Sequence, residues 1–501
     1  MLATFMQVLD STVVNVSLPK IAGNLSATTE ESTWVLTSYL AANAIVLPAT
    51  GWFSTIFGRK RFYMACVVAF VASSFVCGMA PSLGWLVVFR VLQGLGGGAM
   101  QPISQAILLE SFPMRRRGLG MAIFGIGVIF APIIGPTLGG WITDNYSWRW
   151  IFYINIPVGV LALAMTQTFV TDPPYLPRGV AKVDYTGLAL LAVGIGALQV
   201  VLDNGQSKDW FATSWIAQLS VLSGACIVAL LFWELRQRQP ILDLAVFKVR
   251  NYTPGAVLIF AVGVALFGSM VLLPIFLQNL LGYTAMLSGL AMSPGGVGSL
   301  IFMPVVGYLV GKRDARVMIG LGLAAAAVSM FMMAGYNLQI SFWNAVWPRL
   351  VMGIGMAFLF VPVTTVTFAF MRPERIGMGT GIFNLMRNLG GSIGIALITT
   401  VLSRRAQFHY VRLAENISLY DARVQEALRK ATAGLTAAGQ SPLAAQNLAL
   451  GRTYSGVLRQ ASGMAFIDCF WLMGVVILVL LPMVFLMQKP PKETRARSGG
   501  D

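Results

Sequence analysis

Charge is scarce in this chain. Only 11% of its 501 residues are Asp, Glu, Lys or Arg, against about a quarter in soluble domains. With 56% hydrophobic residues and a mean hydropathy of +0.74, one aqueous core cannot hide so much apolar surface. Lipid must be the solvent for most of it. Histidine is scarcer still: His409 is the single one, which leaves almost no room for histidine-dependent hydrolysis or a zinc enzyme. The four cysteines, Cys66, Cys77, Cys226 and Cys469, sit in or beside apolar runs without metal-ligand spacing, and read as packing residues. No G-x-x-x-x-G-K-[ST] motif is present, which excludes a built-in ATPase of that type. No cleavable signal peptide is evident. The chain opens inside its first apolar segment, at Met1-Leu2-Ala3-Thr4-Phe5, which leaves open a natural start upstream.

Long apolar runs, by contrast, are abundant. A spanning helix needs about 20 mostly apolar residues, and that criterion gives fourteen segments. They lie near 1–21, 33–56, 62–80, 84–109, 118–140, 150–170, 185–203, 214–235, 252–279, 286–310, 316–335, 345–370, 377–403 and 463–487. The expected fold is an all-α polytopic membrane protein. The net charge of +16 does not point to nucleic acid, because the basic residues fall in short clusters between apolar runs. Arg59-Lys60-Arg61, Arg115-Arg116-Arg117, Arg236 with Arg238, Lys248 and Arg250, Lys312-Arg313 with Arg316, and Lys489, Lys492, Arg495 and Arg497 each follow an even-numbered helix. Lys and Arg concentrate in cytoplasmic loops, so both termini are expected in the cytoplasm. The loop 404–462 breaks the pattern with eight basic residues, but long loops translocate largely regardless of charge. Leu413, Ile417, Val424 and Leu428 give its first half helical spacing. Gly434 and Gly439 are expected to break that helix, and Ser441-Pro442 to start another. The loop is either a solvated connector or a docking surface for a partner outside the membrane.

One pattern occurs twice. Arg90, Gly94 and Gly96 lead to Gly118-Leu119-Gly120, and Arg349, Gly353 and Gly355 lead to Gly377-Met378-Gly379 in the same register. A charge inside an apolar helix is expensive, so its repetition argues for two related halves, 1–170 and 251–501. The linker region, 171–250, carries two extra helices without counterparts. Duplicated bundles are the plan of secondary transporters, with the substrate path between the halves.

Within this frame several residues stand out. Gly51 through Gly58-Arg59-Lys60-Arg61 closes helix 2, its glycine letting helix ends approach and its cations meeting the headgroups. Gly307 to Arg313 echoes it after helix 10. Arg90 either snorkels toward the outer surface or holds a fixed charge that tunes a nearby carboxylate. Helix 5 carries Gly125, Gly127, Pro132, Gly135, Pro136, Gly139 and Gly140, a bent and close-packed segment that is a hinge or a passive kink. Asp10 is the one acid deep in the first half. It is read as a proton carrier, or as a permanent partner of an arginine. Arg387 is a candidate for an anionic substrate group or a structural pair, Arg349 serves symmetry or packing, and Asp468 is expected at an interface. Met6, Met100 and Phe124 are weaker candidates for an adaptable apolar cavity.

Together these segments resemble the major facilitator superfamily, and within it the fourteen-helix drug:proton antiporters of the EmrB/QacA type. The match rests on Leu9 to Pro19, Gly51 to Arg61, Arg90 to Gly98, Gly125 to Gly140, and Asp144-Asn145-Tyr146 with Trp150 to Pro157. The resemblance implies two six-helix bundles plus two extra helices. It implies proton-driven export of lipophilic toxic compounds across the inner membrane, with no cofactor beyond the proton gradient. Asp10 and Arg90 would carry the coupling, and Gly125 to Gly140 the antiport motif. A periplasmic adaptor and an outer-membrane channel would be partners, with the loop 404–462 available to the adaptor. One departure is plain: the family's helix 2 turn has an acid where this chain has Thr55, and the second half has Gly311 there. The alternative is an exporter of an endogenous metabolite such as a siderophore, fatty acid or peptide. The charges are too scattered for an enzyme, and the tail after Met487 is too short for a signalling domain.

Overall fold

The computed structural model describes residues 1–173, 184–237, 240–415 and 422–488. Pro174, Arg238, Ile417, Lys489, Lys492, Arg495 and Arg497, and the side chains of Arg115 and Arg423, lie outside that description. Among the described residues every regular element is a helix. The fourteen that cross the molecule are α1 (Leu2–Asn24), α2 (Trp34–Phe57), α3 (Arg59–Gly78), α4 (Leu83–Ser111), α5 (Arg117–Asn145), α6 (Trp150–Phe169), α7 (Tyr185–Asn204), α8 (Ser214–Glu234), α9 (Tyr252–Leu280), α10 (Ala285–Val310), α11 (Ala315–Ala334), α12 (Phe342–Thr367), α13 (Pro373–Glu415) and α14 (Pro442–Val479). Twelve are long and apolar enough to cross a membrane as they stand, and α5 joins them as a span bent by 42° after Pro132. The fourteenth, α1, is diluted by Gln7, Asp10 and Asn15. The protein is therefore a multi-pass membrane protein.

Local chemistry explains the turns. Gly58 adopts φ +81°, a left-handed conformation open to glycine, and lets α2 pass directly into α3. Asp184, Thr284, Asp314 and Ser441 each accept a backbone N–H at the start of their helices, satisfying donors that a helix start leaves free. The basic turns before α3, α5 and α11 share one face of the molecule, termed the basic face here.

The opposite face carries a projection. At 1.5 Å per residue the 43 residues of α13 extend about 64 Å, twice the roughly 30 Å of hydrocarbon. The helix continues to Glu415 rather than ending near 403, and α14 starts at Pro442 rather than near 463. Between them runs a further helix, Ala422–Ala437, which passes through Gly434; the chain turns instead at Gly439, φ +91°. Gly434 was expected to break this helix. A Cβ there would meet nothing within 4 Å, and a single glycine costs a helix only about 1 kcal/mol. Asp468 on α14 takes Arg405 Nε at 2.6 Å and His409 Nε2 at 2.7 Å from α13, clamping the base of the projection.

Each half packs by the same rule. A Cβ at Gly94 would stand 2.4 Å from the Tyr39 carbonyl on α2, and one at Gly96 would stand 2.8 Å from Phe70 N on α3. In the second half a Cβ at Gly353 would meet the Gly295 carbonyl on α10 at 1.8 Å, and one at Gly355 would meet Ala326 N on α11 at 3.0 Å. The glycine runs of α4 and α12 are thus cradles for neighbouring backbones, as small residues in lipid require.

The halves meet along α2 with α13, and along α5 with α10 and α12. On the basic-face side this seam is shut. A Cβ at Gly51 would lie 2.5 Å from Met378 Cα, and one at Gly118 would lie 2.6 Å from the Gly307 carbonyl. One buried apolar cluster runs through both halves there, including Leu47, Leu109 and Phe124 with Met303, Phe360 and Phe383. On the other side α7 lies against both α2 and α13. Gln199 Nε2 reaches Ser392 Oγ of α13 at 2.9 Å, and Trp210 Nε1 reaches Thr400 Oγ1 at 3.0 Å.

Candidate functional site

Asp10 and Arg90 are brought together in the first half. Arg90 Nη1 donates to Asp10 Oδ2 at 2.5 Å. The other carboxylate oxygen accepts from Gln93 Nε2 at 3.0 Å and from Asn155 Nδ2 at 2.7 Å. Arg90 also donates to Gln93 Oε1 at 2.8 Å and, through Nε, to the Val35 carbonyl at 3.1 Å. Its guanidinium lies 4.1 Å from the centre of the Tyr39 ring, a favourable cation–π distance. Ser74 joins Asn155 to the Phe152 carbonyl. Helices α1, α2, α3, α4 and α6 therefore all contribute. Arg90 does not snorkel: it is 0% exposed and Asp10 1%.

Taking two charges out of water costs several kcal/mol each, and only good geometry with further hydrogen bonds offsets it. Those bonds are present, apart from Arg90 Nη2, which is buried without a partner. Adding a proton to Asp10 would leave Arg90 buried with no counter-ion. The charge state of one carboxyl is thus tied to the packing of α1 against α4 and α6. The pair is sealed in this conformation, so exchange with water requires those helices to part.

The second half repeats the position but not the chemistry. Arg349, 2% exposed, donates from Nη1 to Ser269 Oγ at 3.2 Å, and its Nε has no partner. Ser269 stands 80 residues before Arg349, as Asp10 stands 80 before Arg90. The duplication has a serine where the first half has its acid.

The basic-face turn holds a second ion pair. Arg59, 3% exposed, donates from Nη1 to Glu110 Oε2 of α4 at 2.5 Å. Lys60 N donates to Asp172 Oδ1 at 2.8 Å, and Lys60 Nζ to the Gln167 carbonyl at 2.7 Å. A Cβ at Gly58 would lie 3.0 Å from Asp172 Oδ2. Arg61 is exposed, and Thr55 only bonds back to the Trp52 carbonyl. Acids on α4 and after α6 thus serve a turn that lacks one of its own.

On α5 the glycines make the contacts with α1. A Cβ at Gly135 would strike Thr12 Oγ1 at 2.0 Å, and one at Gly139 would meet the Val13 backbone at 2.9 Å. Gly127 faces Met1, Gly140 faces Val16 more loosely, and Gly125 faces Met303 and Phe360 across the seam. Pro132 and Pro136 sit at the bend. Met6 and Met100 are enclosed in a core cluster with Tyr39, Val67 and Phe70. Phe124 stacks on Phe360 of the other half, centroids 6.1 Å apart. Arg387 of α13 donates from Nη2 to Gln101 Oε1 of α4, and Asn384 Nδ2 donates to Gln105 Oε1 at 2.5 Å.

Sequence alone does not single out Gln93, Asn155, Glu110, Asp172 or Ser269. Asn155 is a polar residue within the apolar stretch Trp150 to Pro157, which is a usable signal. The matching 80-residue spacing was available for Ser269.

A duplicated helical bundle with buried charges gathered inside and along its seam defines a membrane transporter fold. A model of the Major Facilitator Superfamily matches residues 1–395. The multidrug export protein EmrB of Escherichia coli strain K12 is 38% identical over all of this chain and 96% of its own. The fatty acid resistance protein FarB of Neisseria gonorrhoeae is 37% identical over 98% of this chain and 95% of its own. The proton:xylose symporter XylE superposes with a TM-score of 0.59 at 14% identity, covering 97% of this chain and 94% of that one. The chain belongs to the major facilitator superfamily, and it is EmrB-like over its full length.

Proposed function

We propose that this protein is a proton-coupled exporter of lipophilic toxic compounds. It sits in a bacterial inner membrane with its basic face, and both termini, in the cytoplasm. The observation that carries the reading is the sealed Asp10–Arg90 pair, a buried carboxyl on α1 bonded to α4 and α6. The names of the full-length relatives, multidrug export and fatty acid resistance, supply the direction and the kind of cargo. Cargo loads between the halves from the cytoplasm or the inner leaflet, when the seam at Gly51 and Gly118 opens. Protonation of Asp10 favours one facing of the bundle and cargo favours the other. A proton crossing 100 mV supplies about 2.3 kcal/mol, enough for roughly a fiftyfold cargo gradient.

The test is transport by purified protein in vesicles under an imposed pH difference. Asp10→Asn is expected to abolish proton-linked export while the protein still inserts. Wild-type transport indifferent to the pH difference overturns the coupling.

The projection is read as the docking surface for a periplasmic membrane-fusion adaptor leading to an outer-membrane channel. It exposes Leu443 at 70% and Tyr454 at 56%, apolar side chains that a partner could cover. Deleting residues 410–455 is expected to leave transport in vesicles intact and to abolish efflux past the outer membrane. Undiminished efflux in cells overturns the adaptor. Export of an endogenous metabolite is the second reading, favoured by the FarB relationship.

A further inference from the structure

Arg387 is a buried charge with no counter-ion among the described residues. It is 3% exposed, and it lies fourteen residues into α13 from the basic face, roughly 20 Å along the helix. Guanidinium stays charged in proteins, and a charge at that depth is costly. Arg90 meets the same cost with Asp10, but no carboxylate pairs with Arg387 among the described residues. Among the described residues its side chain has one hydrogen bond, to the neutral Gln101. Its Nε is buried with no partner, and so is Nε2 of the adjacent Gln105.

Position adds a second argument. Arg349 is also unpaired, but it bonds within its own half, to Ser269. Arg387 bonds across the seam, to α4 of the first half, and Asn384 does the same one turn nearer the basic face. These bonds lie beyond the close contacts at Gly51–Met378 and Gly381–Leu47. Opening the basic face must break them. It would uncover a guanidinium with spare donors inside a seam whose apolar cluster includes Phe124, Met303 and Phe360.

We infer that Arg387 is the anchor for the anionic head of an amphiphilic cargo, a lipophilic carboxylate or phenolate, with Gln101, Gln105 and Asn384 as the polar wall. The cargo's anion replaces Gln101 Oε1 and reaches the vacant Nε in the forked geometry that carboxylates share with guanidinium. Its apolar tail lies against the aromatic and methionine side chains of the seam. Closure of the basic face returns Gln101 to Arg387 and releases the head. The inference rests on the export reading and names its cargo class.

The experiment is equilibrium binding, which needs no gradient and no direction. Radiolabelled decanoate is bound to the purified full chain in detergent free of anionic lipid, with unlabelled decyltrimethylammonium as competitor. The wild type is expected to bind decanoate and to release little of it to the cation. Arg387→Gln is expected to weaken decanoate binding about tenfold or more, the scale of a lost charge-assisted pair. Arg387→Lys is expected to retain most of it. If Arg387→Gln does not fold, Gln101→Ala decides the matter. It removes the competing acceptor and is expected to tighten decanoate binding about threefold, a fraction of one hydrogen bond. Decanoate binding that is absent in the wild type, unchanged in Arg387→Gln or unchanged in Gln101→Ala overturns the inference. So does a wild type that binds the cation equally well. Decanoate bound through Arg387 by a protein indifferent to pH differences ends the export reading alone.

Discussion

The two halves place an arginine at the same point of the same helix and surround it differently. Arg90 has a carboxylate, a glutamine, a carbonyl and an aromatic face. Arg349 has one hydroxyl at 3.2 Å. Both sit above a glycine cradle, so packing was kept in each copy while ionisable chemistry survives in one. The difference separates two roles that a buried arginine combines: filling the space between three helices, and holding a counter-ion whose charge can change.

The comparison is broken most sharply by deleting the charges in turn. Arg90→Met is expected to destabilise by about 3–5 kcal/mol, because it strands a buried carboxylate. Arg349→Met is expected to be neutral or to stabilise by about 1–4 kcal/mol, because it removes a poorly compensated charge. Thermal unfolding of the two purified variants checks both, and a loss of equal size in each would show the sites to be equivalent. Next come the cradles. Gly353→Ala and Gly94→Ala should each cost about 1–3 kcal/mol of overpacking, with the larger loss at Gly353, whose added Cβ would lie 1.8 Å from a carbonyl. An equal or reversed order in the same assay contradicts that spacing. Ser269→Ala should lose only about 1 kcal/mol, the worth of one ordinary hydrogen bond. It should also leave the pH dependence of transport unchanged, where Asp10→Asn removes it. A changed pH profile in Ser269→Ala would give the second half a share in coupling. Smallest is Thr55→Asp. Glu110 and Asp172 already serve the basic turn, so the added acid should change the unfolding free energy by less than about 0.5 kcal/mol. A larger shift would show that the turn was missing it.

What could be read from sequence follows from where the physics leaves a compositional trace. Helix number showed because lipid demands long apolar runs. Arg90 and Arg349 showed because charge in such runs is rare. The cradle glycines showed because a cluster of them has no other use in a helix. The network around Asp10 did not show, since Gln93, Asn155, Ser74 and Tyr39 come from four other helices and meet only in three dimensions. The clamp of Arg405 and His409 on Asp468 was missed for the same reason. The full lengths of α13 and α14 leave less trace because hydropathy marks where lipid ends, and these helices continue into water, α13 with Arg412 paired to Glu415 and α14 with Ala445 and Ala449 packed on Leu435 of the helix between them.

The hairpin of α7 and α8 has no counterpart in either half, yet α7 touches both. Gln199 is fastened to Ser392 on α13, while Gly196 lies against Ile45 on α2, where a Cβ would come within 3.2 Å of it. Any rocking of the two bundles would have to loosen one of those attachments. The hairpin is thus a strap laid across the seam, fastened to one bundle by a hydrogen bond and to the other by packing.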